Sequence, residues 1–319
     1  MRLSDALVQA RSGNLDLLRL IAAVAVVVSH AWPLALGPGA VEPLQALTGR
    51  SLGGWALVLF FFLSGFLIVQ SVERRSGRAF WLARARRILP GLSVALLISV
   101  VVALASGATP TAAEVVRYVL RGLTLFGAEH RLTGAFAANP YPLAVNGPLW
   151  SLQYEVAAYV ICFAASRVSW GSGAVLVLAL VLTLAPGLPE RLGVFAPLLL
   201  AFAFGMVAWR LRGRALLTGP ALALTVLVAV VSQNAALETL AFCHAVLMVA
   251  YRLPASTFPA DLSFGLYIYG WPVAQALMMV EPDLTPPALA FATLLCTLPL
   301  AWASWTLVEH PVLHRRALA

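Results

Sequence analysis

Of the 319 residues, 61% are apolar and only 11% charged, and a mean hydropathy of +0.90 excludes an ordinary soluble domain. The formal net charge of +8 would suggest nucleic acid in a soluble protein. Here the basic residues are all arginines, and their placement marks cytoplasmic loops, so a membrane-lipid setting and no nucleic-acid partner are expected. Cys162, Cys243 and Cys296 lie in apolar stretches without paired spacing; they read as small core residues, with neither a disulfide framework nor a metal site implied.

Residues 1–14 are polar and basic. The first apolar run, about 15–36, carries Asp16, Arg19 and His30, and ionisable groups inside a span cost roughly 2.5–3.5 kcal/mol each on insertion scales. Those charges, the missing small-x-small site and the further spans argue against a cleavable signal peptide. Arg19 and His30 are eleven positions apart, almost whole turns at about 100° per residue, so they share one helical face, separated by roughly 16 Å. Asp16 sits one turn before Arg19, within reach of an ion pair.

A Gly/Pro loop (37–51) leads to a second span at 53–72, in which FFFLSGFLIVQ places Ser64-Gly65 in mid-membrane, where small residues allow close approach. The densest charge run, ERRSGRAFWLARARR (73–87), precedes a third span at about 88–106, taken to open at Pro90. Arg84 and Arg87, three apart, share a helical face; they are either lipid anchors or a bidentate grip for phosphate. Residues 107–148 combine an amphipathic stretch, TAAEVVRYVLRGLTLF, with a Gly/Asn/Pro loop. Seven more apolar segments follow, at about 149–168, 172–187, 192–211, 216–232, 236–252, 262–280 and 288–308. With the N-terminus inside, 15 arginines fall in inner loops against 5 in outer loops, which supports ten spans with both termini cytoplasmic. The expected fold is all-α, a polytopic integral membrane helical bundle of about ten transmembrane helices, forming one domain over residues 1–319 with no appended soluble domain.

Chemistry is then confined to the bundle. A histidine in a span is either a core residue bonded to a carbonyl or a general base, and its place on the Arg19 stripe favours the second for His30. In NGPLWSLQYEVAAY (146–159), Glu155 enters the membrane a few residues after the outer loop, at about the depth of His30. A carboxylate there needs a partner, and His30 is the expected one. Trp150 and Tyr154 read as an interfacial belt or as part of a substrate surface.

Taken together, NLDLLRLIAAVAVVVSH, FFFLSGFLI, RARRILP, NGPLWSLQYEV, DLSFGLYIYGWPV and VEHP resemble the membrane-bound acyltransferase family 3, from about residue 14 to 311. The resemblance implies acyl-CoA, by default acetyl-CoA, as cytoplasmic donor, and a sugar or cell-surface glycan hydroxyl as acceptor in a bacterial inner membrane. It implies His30 and Glu155 as catalytic residues and Arg19, Arg84 and Arg87 on the donor side, where Ser64 is also expected because small residues in mid-span let a ligand approach. Asp16, Asn146, Trp150 and Tyr154 remain for the acceptor. Many members carry a second His near position 271, where this chain reads Tyr269-Gly270-Trp271-Pro272, so no role for that His transfers. The alternative is a transporter or flippase for a lipid or polar solute, since intramembrane Asp16, Arg19, His30 and Glu155 also suit a substrate or proton pathway.

Overall fold

The computed structural model describes residues 1–9, 14–125, 127, 130–256 and 260–314. In chain order its first helices are α1 (Leu3–Gln9), α2 (Leu15–Leu36), α3 (Pro43–Thr48), α4 (Leu52–Arg74), α5 (Gly77–Ala105) and α6 (Ala112–Thr124). Then come α7 (Trp150–Ala165), α8 (Gly171–Leu184), α9 (Glu190–Arg210), α10 (Gly219–Ser232), α11 (Ala235–Arg252), α12 (Ser263–Val280) and α13 (Pro286–Ser304). A π-helical turn (Trp305–Glu309) joins α13 to α14 (His310–His314). Each of the ten apolar segments is therefore a helix, as a bilayer requires of backbone that has no water to bond.

Among the described residues, six segments are long and apolar enough to cross a membrane: α2, α4, α5, α9, α11 and Pro286–His314. The protein is an all-helical, multi-pass membrane protein. Two details differ from the sequence reading. Helices α8 and α10 are apolar but only 14 residues each, about 21 Å of rise against a hydrocarbon core of roughly 30 Å. Helix α5 begins at Gly77 rather than near Pro90, so the 29-residue helix absorbs the basic run and Pro90 lies inside it. A helix of that length rises about 43 Å, which lets its arginine-bearing turns project beyond the apolar slab. Its other end shows the complementary pattern: Leu97, Val101 and Leu104, at helical spacing, are 50–65% exposed and suit a lipid-facing stripe.

Contacts group the chain into two compact units. The first comprises residues 1–19, 57–80 and 154–259. Within it α8 packs on α9, and α11 packs on both α9 and α10. Helices α4 and α9 approach backbone to backbone: a Cβ added to Gly65 would lie 2.0 Å from the Phe202 carbonyl oxygen, and one on Gly205 would lie 2.1 Å from that of Phe62. At the arginine-rich end of α9, Glu73 takes an ion pair from Arg210 at 2.9 Å and a hydrogen bond from the Trp209 indole at 2.9 Å.

The second unit comprises residues 20–56, 81–153 and 260–319. Here α12 runs along α13, with Gly265 against Ala301. Ala31, Leu34, Trp271, Met278 and Leu289 form a buried core. Outside the spans, α6 is fixed by a reciprocal cap in which the Glu114 amide donates to Thr111 Oγ1 (3.2 Å) and the Thr111 amide to Glu114 Oε2 (2.7 Å). Glu114 also accepts from Thr133 at 2.6 Å; that bond, with the cap, holds its carboxyl below the usual range.

The glycine contacts make a direct test. Gly65→Ala forces a methyl group into a carbonyl and should cost about 1–3 kcal/mol. Gly173→Ala, on α8 with no atom within 4 Å of the added carbon, should be neutral or slightly stabilising. Thermal unfolding of both variants in detergent checks this; equal melting temperatures would contradict the α4–α9 packing.

Candidate active site

Helix α2 is unbroken from Leu15 to Leu36, so Arg19 and His30 keep the common stripe that their spacing predicted. Asp16 does not join them. It is exposed on the first turn, where it complements the helix dipole, and among the described residues it makes no ion pair.

His30 belongs to the second unit, and its ring meets Trp271 edge-on, with centroids 5.1 Å apart and planes at 80°. Trp271 is itself fixed on three sides. Its indole N–H donates to the Ala144 carbonyl at 2.9 Å, and Tyr141 packs edge-on at 5.2 Å. Gly147 supplies the third: an added Cβ would stand 3.0 Å from the indole ring. The imidazole therefore rests on a wall that cannot rotate freely. Nothing in the local pattern around His30 points to residue 271, which lies far along the chain.

Asn146 is fully buried, and its side-chain amide donates to Ser99 Oγ (3.0 Å) and to the Ile268 carbonyl (2.9 Å). The Tyr267 hydroxyl donates to the Pro148 carbonyl at 2.9 Å and meets Ser151 Oγ at 2.5 Å. The NGPLWS segment is thus bonded to α12 along its length, which leaves Asn146 Oδ1 as the uncommitted atom of that side chain.

Glu155 belongs to the first unit. Its Oε1 accepts from Ser64 Oγ at 2.9 Å and from the Tyr159 hydroxyl one turn along α7. Two hydroxyls satisfy that carboxyl oxygen from within the chain. Ser64 thus serves the carboxylate, a use that its place in mid-span did not disclose. Tyr154 stacks on Phe195, with centroids 5.3 Å apart, and Trp150 opens α7.

Arg87 is half of an arrangement that the sequence reading missed. It donates to Asp261 at 2.6 Å and to Glu309 at 3.5 Å, and it lies over the Phe264 ring. Glu309 is 1% exposed and also accepts from Ser304, whose hydroxyl meets that of Tyr269 at 2.9 Å. Asp261 accepts in turn from the Ser263 hydroxyl at 2.6 Å. Arg84 lies one turn earlier on α5.

Residues 12–306 match the family profile described as an acyltransferase domain. The chain belongs to the membrane acyltransferase 3 family. It is 28% identical to the O-acetyl transferase of Shigella phage Sf6 over 344 aligned positions, covering 96% of this chain and 97% of that protein. It is 27% identical to Nodulation protein 10 of Rhizobium leguminosarum bv. viciae over 360 positions, covering 95% and 94% respectively. No solved structure matches. This acyltransferase therefore aligns with its relatives nearly end to end. Trp271, the residue packed against His30, lies in the DLSFGLYIYGWPV stretch inside the matched region.

The Arg87 contacts carry a prediction. Removing Arg87 from these part-buried pairs leaves the buried Glu309 carboxyl without its cation and costs about 1–3 kcal/mol. Arg87→Gln should therefore lower the melting temperature of the purified acyltransferase, and adding Asp261→Asn should restore part of the loss. An unchanged melting temperature in the single variant would show that the pairs contribute nothing.

Proposed function

We propose that this acyltransferase moves an acyl group, acetyl by default, from acyl-CoA to a hydroxyl of a sugar or cell-surface glycan. The observation that carries this reading is His30: an imidazole on a membrane helix, seated against a fixed aromatic wall, in a chain of this family. The relative named an O-acetyl transferase supports oxygen as the acceptor atom.

In the proposed reaction the acceptor oxygen attacks the thioester carbonyl while His30 takes the hydroxyl proton. The carbon–sulfur bond then breaks and the CoA thiolate leaves, needing little acid assistance because a thiol pKa is about 8.5. Glu155, held by Ser64 and Tyr159, supplies the negative charge that favours a protonated imidazole in this step. Arg19 and Arg84 face the CoA phosphates, and Arg87 contributes from its ion-paired position. Asp16, Asn146, Trp150 and Tyr154 are assigned to the acceptor side. The protein resides in a bacterial inner membrane with both termini cytoplasmic, the orientation favoured by the arginine distribution.

Thiol release from acetyl-CoA by the purified protein tests the activity and separates it from transport. His30→Ala should lower transfer by about 10²–10⁴, the range of a general base. Glu155→Gln should also cost a large factor, and the double variant should be little worse than His30→Ala, because both groups serve one step. Near-normal transfer by His30→Ala would remove the mechanism.

Orientation is tested separately, in a background without the native cysteines. Gly77→Cys should resist an impermeant thiol reagent in intact cells and react in inside-out vesicles. Labelling of intact cells would reverse the topology.

A further inference from the structure

The first unit contains a cavity of about 320 Å³ remote in sequence from the His30 segment. Its walls are apolar, with Phe62 from α4, Val207 and Leu211 from the end of α9, and Leu240 and Leu247 from α11. Helix α9 ends here in an arginine-rich turn, Arg210-Leu211-Arg212-Gly213-Arg214.

Two of these arginines are already engaged. Arg210 is paired with Glu73 at 2.9 Å, while Arg212 donates to the Trp209 carbonyl at 2.8 Å and stacks 4.3 Å from the Trp209 ring. Arg214 lines the cavity, is exposed, and among the described residues makes no ion pair. The wall that carries it is preformed. The Leu3 amide donates to the Ala215 carbonyl (2.9 Å), the Ser4 amide to that of Arg212 (2.8 Å), and the Leu217 amide to that of Met1 (3.0 Å). From the opposite side His244 Nε2 reaches the Leu216 carbonyl at 3.0 Å, and its Nδ1 faces Thr225 at 3.3 Å. Both histidine nitrogens are thus occupied, and the available polar group at the cavity is the Arg214 guanidinium.

We infer that this cavity binds an anionic phospholipid, one acyl chain entering the apolar recess and the headgroup phosphate meeting Arg214. The charge selects the occupant. A zwitterionic lipid could fill the recess but would bring a cationic headgroup beside the guanidinium, and a soluble anion could pair with the arginine but would leave the recess empty. A lipid with net negative charge satisfies both, and a planar guanidinium grips phosphate through two parallel hydrogen bonds. The fixed wall limits the ordering cost of binding. This site is independent of the acyl-transfer reading, since none of its residues is assigned to that reaction.

The test is native mass spectrometry of the purified full-length protein, released from micelles doped with equal amounts of phosphatidylglycerol and phosphatidylcholine. Wild type should retain phosphatidylglycerol in preference by about fivefold, the factor expected of one arginine near an anionic headgroup. Arg214→Gln, at an exposed position, should abolish the preference while leaving thiol release unchanged. Ala208→Phe, which fills the recess, should lose both lipids. Inorganic phosphate should fail to displace the bound lipid at concentrations that saturate simple anion sites. An unaltered preference in Arg214→Gln would overturn the proposal. So would retention of lipid by monodisperse Ala208→Phe, or displacement by inorganic phosphate or by acetyl-CoA.

Discussion

A charged or polar group placed in a bilayer must draw its counter-charges and hydrogen bonds from the chain itself, and the polar architecture of this protein follows from that constraint. Arg87 takes two carboxylates, Asp261 and Glu309, from segments at the far end of the sequence. Glu155 takes two hydroxyls, from Ser64 and Tyr159. Asn146 spends both amide hydrogens in tying the NGPLW segment to Ser99 and α12. In each case a polar group, fully buried for Asn146 and partly buried for Arg87 and Glu155, becomes a link between segments, so polar satisfaction and positional accuracy come from the same bonds.

That principle explains how much was legible beforehand. Hydropathy located the ten apolar segments, because each must be helical to cross or enter the lipid and each is bounded by Gly, Pro or Arg. It misplaced the start of α5, because the aliphatic stems of arginines let a basic stretch continue a helix that composition alone would end. The shared stripe of Arg19 and His30 was readable, being a matter of spacing within one helix. The partners of Arg87 were not, since Asp261 and Glu309 are 174 and 222 residues away and no periodicity connects them. A signal was present all the same. DLSFGLYIYGWPV contains Asp261 and Trp271, and VEHP contains Glu309, so stretches that carried the family resemblance also carry the links.

Trp271 ties the His30 ring to a segment far along the chain. Tryptophan offers His30 an apolar edge, and its N–H is already given to the Ala144 carbonyl.

The contact of α4 with α9 has a mechanical meaning. Ordinary helix pairs are separated by a layer of side chains that can change rotamer and let the helices slide. At Gly65 and Gly205 that layer is missing, and backbone rests on backbone. A joint of this kind has almost no soft coordinate, so the two helices respond to strain as one stiff stave near those glycines. Ser64 is adjacent to the joint, and through it the oxygen of Glu155 is referenced to the least deformable part of its unit.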